Sequence, residues 1–167
     1  MRTPSQTVTI FGVDPGVAIT GYGVITRRGQ AVHAVAYGAI CSAARTPFGE
    51  RLDRIHRELR QLLRKHQPDV VAVERLFFSK NVKTALAVGE ARGVIMLSTW
   101  EQRCPVREFT PLQVKQALTG YGLATKQQVQ RMVQQQLQLR ERPHPDDVAD
   151  ALAIALCAAF TRIPTPL

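Results

Sequence analysis

Acidic residues stand at three separated points of the chain where predicted elements begin or end. Asp14 ends an apolar run in VTIFGVDPG, and Glu74 ends a second one in DVVAVE. Asp147 and Asp150 are three residues apart, a spacing that places both side chains on one face of a helix. Carboxylates brought together repel one another unless they are protonated or share a cation. Hard oxygen ligands without a supporting His/Cys cluster favour Mg²⁺ or Mn²⁺ over zinc.

Each of these acids also has an ordinary structural explanation. Asp147 and Asp150 suit the start of a helix, where carboxylates complement the helix dipole. Asp14 precedes a Pro-Gly pair and suits a turn. Glu74 is harder to explain in this way, because a Glu at the end of a wholly apolar strand is seldom buried without a partner. Together, the four acids favour a shared cation site.

The charge of the chain indicates what such a site would act on. An excess of 22 Lys and Arg over 13 Asp and Glu gives a net charge of +9, which favours a polyanionic partner such as nucleic acid. The alternative is that these charges are merely solvated. In a basic protein, paired metal ions can activate water on one side of a phosphodiester and stabilise the leaving oxygen on the other.

Strands and helices that would hold these acids follow from the apolar patterns. We predict strands at 7–14, 19–26 and 31–40, joined as an antiparallel meander by short connections, then at 70–73 and 104–109. Helices are predicted at 47–66, 82–102, 111–118, 125–139 and 145–161. Three strands followed by strands alternating with helices predict a mixed α/β sheet, which binds its ligand beyond the strand ends.

The length and cysteine content indicate one domain in a reducing compartment. We expect a single domain over residues 1–167, with about 162–167 as a frayed tail. The three cysteines are odd in number and far apart, which favours a reduced cytoplasmic protein. The most apolar stretch, VADALAIALCAAF, is too short to span a bilayer, so no membrane association is expected.

Small residues recur along the predicted helix 82–102 and would allow another element to approach closely. They are Ala85, Ala87, Gly89, Ala91 and Gly93. Packing on the chain's own sheet is the favoured interpretation, and a partner subunit remains an alternative.

Five runs of the chain resemble, in order, the RuvC family of bacterial Holliday-junction resolvases. They are GVDPGVAITGYGVI, VAVERLFFSKN, ALAVGEARGV, VKQALTGYGLATKQQVQRMV and DDVADALAIA. The resemblance spans nearly the whole chain. It implies a ribonuclease H-like fold and a homodimeric endonuclease that cuts four-way DNA junctions in recombination and repair. Two Mg²⁺ ions per subunit, replaceable by Mn²⁺, and a branch-migration motor as partner are also implied.

The resemblance assigns the metal-binding and catalytic acids by position. They match Asp14, Glu74, Asp147 and Asp150. One departure is the run HPDDVAD, which has an additional acid, Asp146, and a histidine, His144. Some family members use histidine in place of the third acid. Counting back three residues from Asp150 selects Asp147, leaving Asp146 as an outer or substitute ligand and His144 as a loop residue.

The same resemblance assigns four DNA contacts. In the loop RLFFSKN, Phe77 is expected to stack on bases or wedge between them, while Phe78 is the core residue. The alternative is that both rings pack under the loop. Lys115, Lys126 and Arg131 match phosphate-binding positions near the active site, or they form solvated helix faces.

Three other functions remain to be weighed. A nucleotide-handling protein of the actin and sugar-kinase type fits the Asp-Pro-Gly turn after the first strand loosely, but it needs two lobes where this chain has one. A module that binds junctions without cutting them would leave the convergent acids unexplained. A related nuclease acting on structured RNA is the third. Nothing in the sequence predicts a preference for bases at the cut.

Overall fold

The computed structural model describes residues 6–75 and 82–161 of the chain. The strands are β1 (Val8–Asp14), β2 (Ile19–Arg28), β3 (Ala31–Cys41), β4 (Val70–Glu74) and β5 (Val106–Phe109). The helices are α1 (Phe48–His66), α2 (Val82–Glu101), α3 (Pro111–Thr119), α4 (Lys126–Gln136) and α5 (Asp146–Phe160). The predicted tail at 162–167 lies outside the described residues, as does the predicted DNA contact Phe77.

Two elements begin or end at least two residues inside the bounds that the sequence patterns predict. The fifth strand begins at Val106 and not at residue 104, since Pro105 has no N–H to donate to a strand ladder. Helix α4 ends at Gln136, three residues before the predicted end at 139. Gln138 adopts a left-handed backbone conformation with φ of 52°, which a continuing helix does not allow.

The five strands form one mixed sheet in the order β3-β2-β1-β4-β5. The predicted antiparallel meander of β1, β2 and β3 is confirmed, and β4 and β5 join parallel to β1. Val13 pairs with Val73, so the acids that follow them, Asp14 and Glu74, lie at neighbouring strand ends. The carboxyl ends of β1, β4 and β5 therefore share one edge, where a parallel arrangement places its ligand.

Alternation along the strands turns both of these acids to the same face of the sheet. In β1, Phe11 and Val13 belong to the core formed with α1 and α2. Because successive side chains point to opposite faces, Asp14 lies on the other side, against which α5 packs. In β4, Val73 belongs to the α1 and α2 side, so Glu74 also faces α5.

Helix α5 lies against the sheet more closely than side chains usually allow. A Cβ atom at Gly21 in β2 would overlap the carbonyl oxygen of Asp147, and one at Gly12 in β1 would overlap that of Ala151. Only glycine permits this approach of helix backbone to strand. The first turns of α5, with their acids, are thereby held against the end of β1.

The opposite face of the sheet is covered by α1 and α2. Ile55, Leu59 and Leu63 recur every four residues along α1 and are buried with Ala91 and Ile95 of α2. This spacing places them on one side of the helix. The amphipathic helix predicted here is confirmed.

The small residues of α2 are divided between two environments. Ala91 is fully buried, as expected from packing on the chain's own core. Gly93 is exposed, and no described atom lies within 4 Å of where a Cβ atom would stand on it. The outward side of α2 is therefore not used by the described part of this chain. None of the helices in that part combines the length and apolar character needed to cross a bilayer.

Candidate active site

Three of the four predicted acids line one cavity at the carboxyl edge of the sheet. The cavity has a volume of about 250 Å³, and its polar walls come from Asp14, Glu74, Lys115, Lys126 and Asp150. The acids arrive from β1, β4 and α5, and the lysines from α3 and α4. Two predicted phosphate-binding lysines thus stand beside three predicted metal-binding acids.

The acids influence one another electrically. Burial, the largest cause, and the charges of Asp150, Glu74 and Asp147 together raise the pKa of Asp14 to about 8, with Lys126 opposing them. Burial is also the main cause of the raised pKa values of Glu74 and Asp150. Acids with strongly raised pKa values gathered in a cleft are typical of functional sites, because stability alone favours separating them.

Lys126 supplies a positive charge among these acids. Its Nζ lies 2.9 Å from Oδ2 of Asp150 and 3.3 Å from Oδ2 of Asp146. Burial alone lowers the pKa of Lys126, but its contacts with Asp150 and Asp146 raise it above the ordinary value. The lysine is therefore held as a cation at the mouth of the cavity.

Asp146 anchors this lysine from outside the cavity. The side-chain amide of Gln130 donates a hydrogen bond to Oδ1 of Asp146 over 2.9 Å. That bond, followed by the contact with Lys126, lowers the pKa of Asp146 and keeps it ionised. Gln130 was not singled out in the sequence, although a signal exists. It is a polar residue next to Val129 on the core-facing side of α4, and it is only 9% exposed.

Asp147 lies apart from the other three acids. It lines a shallow groove on the neighbouring side of α5, together with the β1–β2 turn and Thr84 of α2. Its charge nevertheless raises the pKa values of Asp14 and Asp150. Within residues 6–75 and 82–161, no three His, Cys, Asp or Glu side chains stand close enough to hold one metal ion. Binding an ion with three of the acids would require their side chains to move from these positions.

The remaining predicted residues are found at several places. His144 is exposed in the loop before α5, as predicted. Arg131 of α4 does not line the acid cavity but a separate hollow of about 210 Å³ with Tyr121. Lys126 begins α4, whose start is fixed by a capping box in which Thr125 accepts from the Gln128 N–H.

A sheet of this order, with acids at the ends of its first and fourth strands and on its last helix, defines a nuclease of the ribonuclease H-like class. The family described as "Crossover junction endodeoxyribonuclease RuvC" matches residues 10–158. RuvC of Halothermothrix orenii is 52% identical over 150 residues, covering 90% of this chain and 91% of its own. RuvC of Moorella thermoacetica is 54% identical over 154 residues, covering 90% of each. The chain belongs to the RuvC family of metal-dependent crossover junction endodeoxyribonucleases.

Solved structures agree with this assignment. Thermus thermophilus RuvC in complex with Holliday junction substrate has a TM-score of 0.87 and 38% identity, covering 92% of this chain and 93% of that one. The yeast mitochondrial Holliday junction resolvase Ydc2 has a TM-score of 0.66 at 15% identity, which is a likeness of fold alone. The predicted ribonuclease H-like fold is confirmed, and membership of a nuclease family argues against a nucleotide-handling protein and a non-cutting module.

Proposed function

We propose that this chain, as one nuclease domain, resolves four-way DNA junctions by two symmetric, metal-dependent phosphodiester hydrolyses. The observation that carries the proposal is the cavity at the carboxyl edge of the sheet, where Asp14, Glu74 and Asp150 face Lys115 and Lys126. Acids and lysines in one cleft of a basic protein suit a phosphate substrate that is bound by cations and cut with the help of metal ions.

The proposed cofactor is a pair of Mg²⁺ ions, for which Mn²⁺ can substitute. The acids that would hold them are Asp14, Glu74, Asp147 and Asp150. Their hard oxygen donors suit these ions, and the pKa of Asp14 is raised first by burial and then by the neighbouring carboxylates, whose charges bound cations would offset. When bound, the ions supply Lewis-acid stabilisation of the phosphate and make water a stronger nucleophile.

The lysines position the substrate. Lys126, held at 2.9 Å from Asp150, places a fixed positive charge where the scissile phosphate enters, and Lys115 lines the same cavity. A charge already oriented before the reaction stabilises negative charge that develops on the phosphate. Arg131 would bind the backbone further from the cut, and Phe77 would meet unpaired or strained bases near the junction centre.

A homodimer is part of the proposal, because each chain offers one such site and a junction needs two cuts. Leu86, Gly93, Leu97 and Trp100 share one side of α2 by their spacing. The three large side chains are more than half exposed, with Trp100 at 79%. A two-fold contact between copies of this side of α2 would bury these side chains and place two sites symmetrically. Action beside a branch-migration motor, implied by the family resemblance, completes the proposal.

The proposal is tested by cleavage of a synthetic four-way DNA junction, a linear DNA duplex and an RNA duplex, each with and without Mg²⁺. We expect paired cuts in the junction alone, and only with Mg²⁺. Asp14→Asn should abolish cutting while junction binding is kept. Asp53→Asn is a matched control, because Asp53 is an exposed acid paired with Arg57 on α1. Unchanged cleavage by Asp14→Asn, or equal cleavage of linear duplex, would contradict the proposal.

A further inference from the structure

Helices α3 and α4 carry basic residues and no acidic ones. No Asp or Glu occurs between Glu108 and Glu141, although this stretch contains both helices and the turn joining them. Four basic residues, among them Lys115, Lys126 and Arg131, lie within it. Lys126 is already paired with Asp146 and Asp150 of α5, but a stretch whose own charges are all positive still favours an anionic partner over a basic one.

The turn between α3 and α4, together with Leu112 at the start of α3, forms an apolar and exposed tip of this helix pair. Leu112, Tyr121 and Leu123 are 59%, 57% and 72% exposed. They are contiguous, because the turn lies directly on the first residues of α3: a Cβ atom at Gly122 would stand 3.1 Å from Cγ of Leu112. Large apolar side chains grouped in this way on a surface indicate a contact with another molecule.

The turn is held in one conformation by its own hydrogen bonds. Thr119 Oγ1 donates to the carbonyl of Lys115 over 2.8 Å and accepts from the N–H of Tyr121 over 3.1 Å. The side-chain amide of Gln116 donates to the carbonyl of Gly120 over 2.8 Å. Gly120 takes a left-handed φ of 72°, which glycine adopts without strain. Side chains fixed before binding lose little entropy when they make a contact.

A shallow hollow of about 210 Å³ lies beside this tip. Its wall includes Tyr121, Thr119 and Arg131. An aromatic ring and a guanidinium group on one hollow can respectively stack on a base or sugar and bind a phosphate. Lys115 and Lys126 stand on the same two helices at the acid cavity, so the hollow and the cavity are built on one pair of helices.

We propose that the Tyr121–Leu123 turn is a second DNA-contacting surface, on which the bases or sugars of one junction arm pack while Arg131 holds the adjoining phosphate. The inference rests on the proposed function and adds to it a contact that is apolar and lies away from the cut. An acidic protein partner would also meet the cations, but the hollow shared by a ring and a guanidinium matches a nucleotide unit more closely.

The first test compares binding of a four-way DNA junction in the absence of divalent metal, so that no cutting occurs. Tyr121→Ala should weaken binding roughly 5- to 100-fold, and Tyr121→Phe, which keeps the ring, should remain within about twofold of the parent. Tyr37→Ala is the matched control, because Tyr37 is an exposed tyrosine on β3, at the far edge of the sheet. Arg131→Ala should reduce the slope of the logarithm of the binding constant against the logarithm of the salt concentration by about one, because one phosphate contact is lost. Tyr121→Ala should leave that slope unchanged.

The second test uses the unaltered protein, so that misfolding of a variant has no bearing on it. Junction arms carrying 5-iododeoxyuridine are irradiated in the complex, and the crosslinked peptide is identified by mass spectrometry. We expect a crosslink at Tyr121. If Tyr121→Ala bound the junction as tightly as the parent, or if the crosslinks left Tyr121 unmodified, this inference would be overturned. The proposed function would still stand in that case, provided that the parent cuts the junction. Absence of junction binding by the parent would instead overturn the proposed function.

Discussion

The acid cavity and the outer side of α2 are both incomplete in a single chain, but for opposite physical reasons. In the cavity, burial and the charges of neighbouring acids raise the pKa of Asp14 to about 8, so without a bound cation this carboxyl keeps its proton at neutral pH. On α2, Leu97 and Trp100 expose apolar surface to water. On the proposed function, cations and a phosphate would stabilise the first region, and an apolar surface of matching shape would stabilise the second.

On the proposed function, the cavity would serve cutting and the outer side of α2 would serve assembly. The acids lie on the α5 face of the sheet, and α2 covers the other face, so the two regions use different elements. Glu108 of β5 approaches both, because it contacts Arg92 of α2 at 2.9 Å and Arg75, the residue after Glu74, at 3.5 Å. Because the two regions otherwise use different elements, we expect changes that leave Glu108 and its two arginines intact in one region to leave the other largely unaffected.

The largest effect is expected from the two adjacent acids at the start of α5. Asp147→Ala should reduce the rate of junction cleavage on the order of a thousandfold, because it removes a proposed metal ligand. Asp146→Ala should reduce it only about tenfold, since Asp146 acts through Lys126. Single-turnover cleavage rates measure both.

Gln130→Ala should reduce the single-turnover cleavage rate by about as much as Asp146→Ala, because the Gln130 side chain donates a hydrogen bond to the Asp146 carboxylate. A larger loss from Asp146→Ala than from Asp147→Ala would exchange the roles of the two acids. Dimer formation should be unchanged in all three variants.

A smaller effect is expected on dimerisation when a charge is introduced on the exposed apolar side of α2. Trp100→Glu should weaken dimerisation about a hundredfold, because it places a charge in the proposed apolar contact. Sedimentation equilibrium measures this, with Val35→Glu on β3 as a control at another exposed apolar residue. The variant should nick junctions singly and lose paired cutting. If Trp100→Glu remained dimeric over the same concentration range as the parent, the dimer interface would lie elsewhere than on α2.

The smallest effect concerns stability and pH in metal-free protein. The pKa of Asp14 is raised from 3.8 to about 8, so between these values the folded chain keeps a proton that the unfolded chain releases. The free energy of unfolding due to this group therefore falls as pH rises from about 4 to 8, and the loss is complete above that range. Asp14→Asn removes the titration and should be more stable than the parent at pH 8.5 by roughly 1–3 kcal/mol.

Chemical denaturation at pH 5 and pH 8.5 tests this. The advantage of Asp14→Asn should shrink at pH 5, and it should shrink at pH 8.5 when Mg²⁺ is added to both proteins. A constant difference across pH would mean that the charge of Asp14 is not the cause.

The sequence predicts elements well where spacing alone decides them. Ile55, Leu59 and Leu63 identify α1 because their four-residue spacing has one structural meaning. The acids at the ends of apolar strands are found by the same reasoning, because parallel strands end at one edge. The end of α4 is less predictable, since glutamine as a residue type gives no indication of the left-handed conformation that Gln138 adopts.

Contacts between distant segments lie beyond sequence patterns. The anchoring of Lys126 by Asp146 and Gln130 joins two helices, and nothing in either helix alone predicts the pairing. The close approach of α5 to Gly21 is likewise visible only once the sheet order is known. Asp147 was expected among the other acids, and its place in a neighbouring groove depends on the rotation of α5 about its axis.

The central claim is that Asp14, Glu74, Asp147 and Asp150 hold the metal ions that serve cleavage. Its most direct test is anomalous diffraction from crystals soaked in Mn²⁺, with Asp14→Asn crystals treated in the same way. We predict anomalous peaks within coordination distance of these carboxylates in the parent, and weakened or absent peaks in the variant. Peaks located away from these four acids, or none at Mn²⁺ concentrations that support cleavage, would contradict the account.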